Sequence, residues 1–149
     1  MRTRLWIFIA LMFAFAAPAC GSEGLTSVKI LSPEGKLRHE FQAELARTPA
    51  EHSQGLMYRS EMEPDHGMLF VFPKLNQTPF WMKNTLIPLD MVFIGPDKKI
   101  VSIVERATPQ TTSPREAAGP YQYVLEINGG KSETFGIHAG DRVEFQEPR

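Results

Sequence analysis

The chain has 149 residues, of which 42% are hydrophobic, 22% charged and 10% aromatic. That length and balance describe one globular domain with enough apolar material for a core, and they exclude a disordered or low-complexity protein. A formal charge of −1, from 16 basic and 17 acidic residues, excludes the basic excess that a nucleic-acid or polyanion binder carries.

The N-terminus departs from this average. Arg2 and Arg4 precede an unbroken apolar run from Leu5 to Ala16, followed by small residues and Cys20. Basic start, apolar stretch and small-residue end are the order of a secretory signal. The run is shorter than the roughly 20 residues that a spanning helix needs. Ala17-Pro18-Ala19 suits ordinary signal cleavage, and the same residues before Cys20 suit a bacterial lipobox, although Ala17 replaces the usual leucine. Cys20 is the only cysteine of the chain, so no disulfide holds the fold. The expected organisation is a signal peptide over 1–19, a small polar tether over 20–26 and one domain over 27–149. The expected location is the periplasm or cell envelope, with a lipid on Cys20 as membrane tether. Losing Arg2 and Arg4 takes the mature protein to a formal charge of about −3.

Past the tether, strand signals dominate. Val28–Leu31 reads as a short strand. Phe41, Ala43 and Leu45 alternate with Gln42, Glu44 and Ala46, the period of a half-buried strand. Thr48-Pro49-Ala50-Glu51 combines a capping hydroxyl, a proline in the first turn and a glutamate three after the cap, so it predicts a helix of two turns ending at Gly55. Met68–Phe72 is an apolar run closed by Pro73. Phe80-Trp81-Met82 predicts a further strand after the turn at Asn76-Gln77. Leu89–Ile94 and Lys99–Val104 flank Gly95-Pro96-Asp97-Lys98, which is hairpin chemistry. Tyr121–Ile127 and Asp141–Gln146 predict the last strands, with a second short helix over Lys131–Ile137. Many short strands and few helices predict a mainly β domain, a sandwich or barrel.

Three motifs then stand close together: Gly55-Leu56-Met57-Tyr58-Arg59, Gly67-Met68-Leu69-Phe70-Val71-Phe72, and the stretch from Phe80 through Lys83-Asn84-Thr85 to Pro88-Leu89-Asp90-Met91. With Val124-Leu125-Glu126, Gly136 and Gly140-Asp141 they resemble domain of unknown function family 192 (DUF 192) over roughly residues 40–145. The resemblance implies a single-domain, mainly β, jelly-roll-like fold in exported or membrane-tethered proteins. It implies no activity; an association with carbohydrate has been suggested for such domains.

The residues themselves offer several chemistries. Asp90 and Lys83 are the charged residues between Phe80 and Ile94. Asp90 sits in a strand apolar on both faces, so burial and a partner are expected, with Lys83 or Arg59 as that partner. One reading is an internal salt bridge around Pro88, in a structural or protein-interaction domain. Another gathers Arg59, Trp81, Lys83, Asn84 and Asp90 around a pocket. There Trp81 supplies a stacking face, Asn84 and Asp90 bond hydroxyls, and a basic residue meets an anionic group. That toolkit suits a small polar or sugar-like ligand. A hydrolase would need a second group beside Asp90, from Glu61, Asp65 or His66. Met57, Met62, Met68, Met82 and Met91, with His52 and His66 nearby, suit Cu(I) in ligand type, but their spacing forms no compact metal signature. His52 is expected on the exposed face of the short helix and His66 in a solvated loop. No nucleophile elbow, phosphate loop or zinc motif occurs, and no cofactor is expected. A polar-ligand module of the cell envelope is favoured over an enzyme.

Overall fold

The computed structural model describes residues 24–146. The expectations for the signal peptide and Cys20 lie outside these residues. Seven strands and two short helices follow one another as β1 (Thr26–Leu31), β2 (Leu37–Ala46), α1 (Pro49–Gln54), β3 (His66–Asn76), β4 (Leu89–Ile94), β5 (Ile100–Ala107), β6 (Tyr121–Asn128), α2 (Lys131–Phe135) and β7 (Arg142–Phe145). The class is mainly β, as composition and periodicity predict.

The strands form one sheet in the order β5-β4-β6-β3-β2-β1-β7. Neighbours run antiparallel except β2 and β3, which pair in parallel from Gln42 opposite His66 to Ala46 opposite Phe70. A parallel pair needs a long crossover, and residues 47–65 supply it with α1 inside. The sheet rolls until its edges approach. Lys99 bridges Arg142, Val143 N–H donates to the Lys98 carbonyl at 2.8 Å, and Ile100 N–H donates to the Asp141 carbonyl at 2.9 Å. The two edges thereby use backbone groups that open edges would leave unpaired.

Rolling gives the sheet an inside and an outside, and each has its own core. Leu69, Val92, Ile94, Leu125 and Ile127 point inward with Val28, Ile30, Phe41 and Val143. The alternate residues Met68, Phe70, Met91, Phe93 and Val124 point outward beneath Leu56, Met82 and Ile87. A strand buried on both faces reads as a continuous apolar run, which is why Met68–Phe72 and Leu89–Ile94 lack alternation. Each fully buried Leu, Ile or Phe contributes roughly 1.5–3 kcal/mol of burial.

The outer core is roofed by the α1 crossover and by two loops, residues 77–88 and 108–120. The strand expected at Phe80-Trp81-Met82 does not form. Phe80 makes a single bridge to Arg115, and Met82 N–H donates to the Thr111 carbonyl at 2.9 Å. The local alternation survives: Met82 is buried, and Trp81 is 53% exposed. The roof is therefore irregular backbone held loop to loop.

α1 forms as its cap predicts. The Thr48 side chain accepts from Glu51 N–H while the Glu51 carboxylate accepts from Thr48 N–H at 2.8 Å. Such a cap stabilises a helix end by about 1 kcal/mol.

Candidate functional site

Asp90 is fully buried, as expected, but its partners are neither Lys83 nor Arg59. Its Oδ1 accepts from Arg106 N–H at 2.7 Å and from Gly130 N–H at 2.8 Å, and its Oδ2 accepts from Ser132 N–H at 2.8 Å. Gly130 and Ser132 begin α2, so the carboxylate satisfies N–H groups that a helix start leaves open. Backbone donors are available wherever a helix starts, whereas a side-chain cation would have to be buried to reach this position. Asp90 is a fastening point between sheet and helix.

Arg59 is likewise committed elsewhere. Its guanidinium grips Glu44 of β2 in a bidentate pair, at 2.5 and 2.6 Å. The pair holds the Glu44 carboxyl below its ordinary range, the Arg59 hydrogen bond being the largest cause. Asp65, named beside Asp90 for a hydrolase, pairs with His39 at 2.8 Å. His66 is half-buried at the start of β3 and pairs with Gln42, rather than standing in a solvated loop. Of the five methionines, Met68, Met82 and Met91 are buried as packing in the outer core. Met57 is half-buried, with its sulfur 3.8 Å from Asn84 Nδ2.

Trp81 and Lys83 come together with a different set of residues. Between the outer face of the sheet, α1 and the 77–88 loop lies a cavity of about 360 Å³. Phe70, Phe72, Phe80 and Tyr121 supply its aromatic lining, and Trp81 and Lys83 stand at its exposed rim. The Lys83 ammonium is 5.8 Å from the centre of the Trp81 ring. The four lining rings brace one another edge to face: Phe80 meets Phe70 at 5.3 Å and Tyr121 at 6.2 Å, and Phe72 meets Tyr121 at 5.6 Å. The Tyr121 hydroxyl donates to the Thr78 carbonyl at 2.6 Å and ties the roof loop to β6. Burial pushes that hydroxyl up to about 12, so it stays a donor. His52 also lines the cavity. Its ring bonds the Ala46 carbonyl at 3.0 Å and packs 4.4 Å from Phe72, so it faces inward and not outward from α1 as expected.

Glu126 also lines the cavity. It is 5% exposed, and its cross-strand neighbours are Met68 on β3 and Met91 on β4. Among the described residues its carboxyl has no hydrogen-bond or ion-pair partner, and its oxygens are not sealed off but reach the space of the cavity. Burial alone pushes its carboxyl up to about 8. The sequence carried a signal for it: Glu126 is the one acidic residue in Tyr121–Asn128. Like Asp90 in Leu89–Ile94, Glu126 is a lone carboxylate in an apolar strand and is buried with it.

Next in sequence to the lining residues Met57 and Lys83, but outside the lining, the backbone is unusual. Tyr58 and Asn84 both adopt left-handed conformations, with φ of 65° and 56°. Tyr58 N–H donates to the Asn84 carbonyl at 2.8 Å, and Asn84 Nδ2 donates to the Tyr58 hydroxyl at 2.8 Å. Asn tolerates this conformation, whereas Tyr seldom adopts it. Such strain persists where surrounding structure enforces it, and it clusters at ligand clamps.

A rolled β sheet carrying an aromatic-walled cavity with a buried carboxyl defines a small β domain with a roofed pocket on the outer face of its sheet. The chain belongs to DUF192, an uncharacterised ACR family, whose model matches residues 29–145. No curated protein matches it. Among solved structures it is similar to a Sinorhizobium meliloti 1021 protein described as a presumed transcription regulator. Identity is 41% and TM-score 0.78, over 84% of this chain and 98% of that one. It is also similar to a protein of unknown function from Novosphingobium aromaticivorans DSM 12444. There the identity is 42% and the TM-score 0.76, over 86% of this chain and 89% of that one.

Proposed function

We propose that this protein is an exported, lipid-tethered binding module of the cell envelope that holds a small polar molecule, carbohydrate included, in the cavity beneath the 77–88 loop. The observation that carries the reading is the unpartnered carboxyl of Glu126 lining an aromatic cavity of about 360 Å³. The Glu126 carboxyl is largely withdrawn from solvent and has no protein partner, so a ligand in the cavity can take up its hydrogen bonds. Cavities with apolar walls and few polar groups are the usual form of small-molecule sites.

Trp81 and Lys83 belong to this reading as rim contacts. Asn84 lies outside the lining and bonds Tyr58, which is also outside it. Arg59 and Asp90 act on the fold instead. The Arg2-to-Cys20 segment supports export and lipidation. The presumed regulatory role named for the Sinorhizobium protein is not carried over, because the mature charge of about −3 opposes a polyanion partner.

A thermal-shift screen against oligosaccharides, cell-wall fragments, organic acids and amines tests the binding role. A ligand at 100 times its dissociation constant adds about 2.7 kcal/mol, a rise of several degrees for a domain of this size. A panel without a single shift contradicts the reading. Cys20→Ser is expected to abolish labelling by radioactive fatty acid in cells; labelling that persists contradicts the tether.

A further inference from the structure

Resting on the reading that the cavity binds a small ligand, we propose that this ligand is a compact organic cation, an ammonium or quaternary ammonium head on an apolar body, whose charge is met by Glu126.

The lining argues for this class. A neutral sugar needs several hydrogen-bond partners around its ring. The rings of the lining are Phe70, Phe72, Phe80 and Tyr121, and most of its polar side chains are committed within the fold: the Tyr121 hydroxyl donates to the Thr78 carbonyl, Ser53 to the Pro49 carbonyl and Thr85 to the Lys83 carbonyl, while Asn76 Oδ1 accepts from Gln77 and Thr78 N–H. An anion would need a buried cation, and the lysine of the lining, Lys83, is exposed at the rim. An organic cation uses what is present. Aromatic faces attract positive charge, and a carboxylate answers the remaining charge.

The surroundings of Glu126 make binding a proton exchange. Across the sheet it faces Met68 and Met91, neither of which titrates. From α1 the cavity receives His52, whose ring is bonded to the Ala46 carbonyl; from the roof loop it receives Lys83; from β6 itself it receives Tyr121. Burial keeps the Glu126 carboxyl largely protonated at neutral pH. A cation entering the cavity stabilises the carboxylate, so the proton leaves to solvent as the ligand arrives.

The test is calorimetric titration of the purified protein at pH 6, 7 and 8. The probes are benzyltrimethylammonium and choline, whose charge is fixed, with 3,3-dimethylbutanol as the uncharged counterpart, a hexose and benzoate. Buffers of different ionisation enthalpy count the protons released. The cations are expected to bind about tenfold more tightly from pH 6 to 7 and about fivefold more tightly again from pH 7 to 8, releasing up to about one proton each, and 3,3-dimethylbutanol is expected to bind weakly with no pH dependence. Glu126→Gln is expected to remove the pH dependence; proton counting on the unmutated protein makes the same test without a variant. A hexose or benzoate that binds while the cations do not overturns the cation and leaves the cavity as a binding site. Cation binding without proton release, insensitive to Glu126→Gln, overturns the role of Glu126. Failure of every probe, together with silence in the wider screen, overturns the binding reading itself.

Discussion

The Asp90 carboxylate on β4 accepts the backbone N–H of Ser132 at 2.8 Å, and this bond fastens the first turn of α2 to the sheet. The same carboxylate takes Gly130 and Arg106 N–H as well. It therefore satisfies three backbone donors in one place, where each unmade buried bond costs about 1–3 kcal/mol.

Asp90→Ala is accordingly expected to destabilise the protein by about 3–5 kcal/mol, and Asp90→Asn by somewhat less because one acceptor oxygen is kept. Urea unfolding followed by circular dichroism measures this. A loss under 1 kcal/mol would show that α2 does not depend on Asp90.

Glu126 acts in the opposite sense. Its carboxyl rises from an ordinary 4.5 to about 8 on folding, so the folded state binds the proton more tightly than the unfolded chain does. Stability from this group is fullest below pH 4.5 and falls as pH rises towards 8, by about 1.4 kcal/mol per unit at most. Glu126→Gln removes that slope and is expected to be the more stable protein at pH 8. Paired denaturation curves at pH 5 and pH 8 compare the two; parallel pH profiles would contradict the buried, unpartnered carboxyl.

Arg59 separates fold from site. Its pair with Glu44 is bidentate but about one-third exposed, so solvent screens it. Arg59→Ala is expected to cost about 1 kcal/mol or less and to leave ligand binding unchanged. A large loss of affinity in this variant would return Arg59 to the pocket.

Much of the fold is legible in the residues, for identifiable reasons. Leu89–Ile94 announces itself because burial on both faces leaves Asp90 as its one polar residue. α1 announces itself because Thr48, Pro49 and Glu51 are local chemistry. The roof does not. Phe80-Trp81-Met82 has a strand's alternation, but its partners in the 108–120 loop have no periodicity, and a strand needs two sides. Asp90 was recognisable as buried, yet its partners are backbone groups at Arg106, Gly130 and Ser132, which leave no charge in the sequence to find. Long-range pairing likewise hid the bond between Arg59 and Glu44, fifteen positions apart.

Gly67 tests the register that sets Glu126. A side-chain carbon at Gly67 would lie 2.5 Å from the Glu126 backbone carbonyl. β3 and β6 cannot part there without breaking their ladder, so Gly67→Ala is expected to cost about 3 kcal/mol. Thermal unfolding reads the loss, and a neutral substitution would contradict the close approach.

Trp81 offers the most direct test of the central claim, that the cavity beneath the 77–88 loop binds a small ligand. The chain has two tryptophans, Trp6 in the apolar N-terminal run and Trp81 at the cavity rim. In protein cleaved before Cys20, Trp81 is the one that remains, and its fluorescence reports on the rim. The decisive measurement is a fluorescence titration of that protein with each compound that raises its melting temperature. The account predicts a saturable change in Trp81 emission whose midpoint matches the calorimetric affinity, with affinity lowered at least several-fold in Trp81→Ala. A compound that binds and stabilises the protein with unchanged Trp81 emission, and equal affinity for Trp81→Ala, would place the ligand elsewhere and contradict the account.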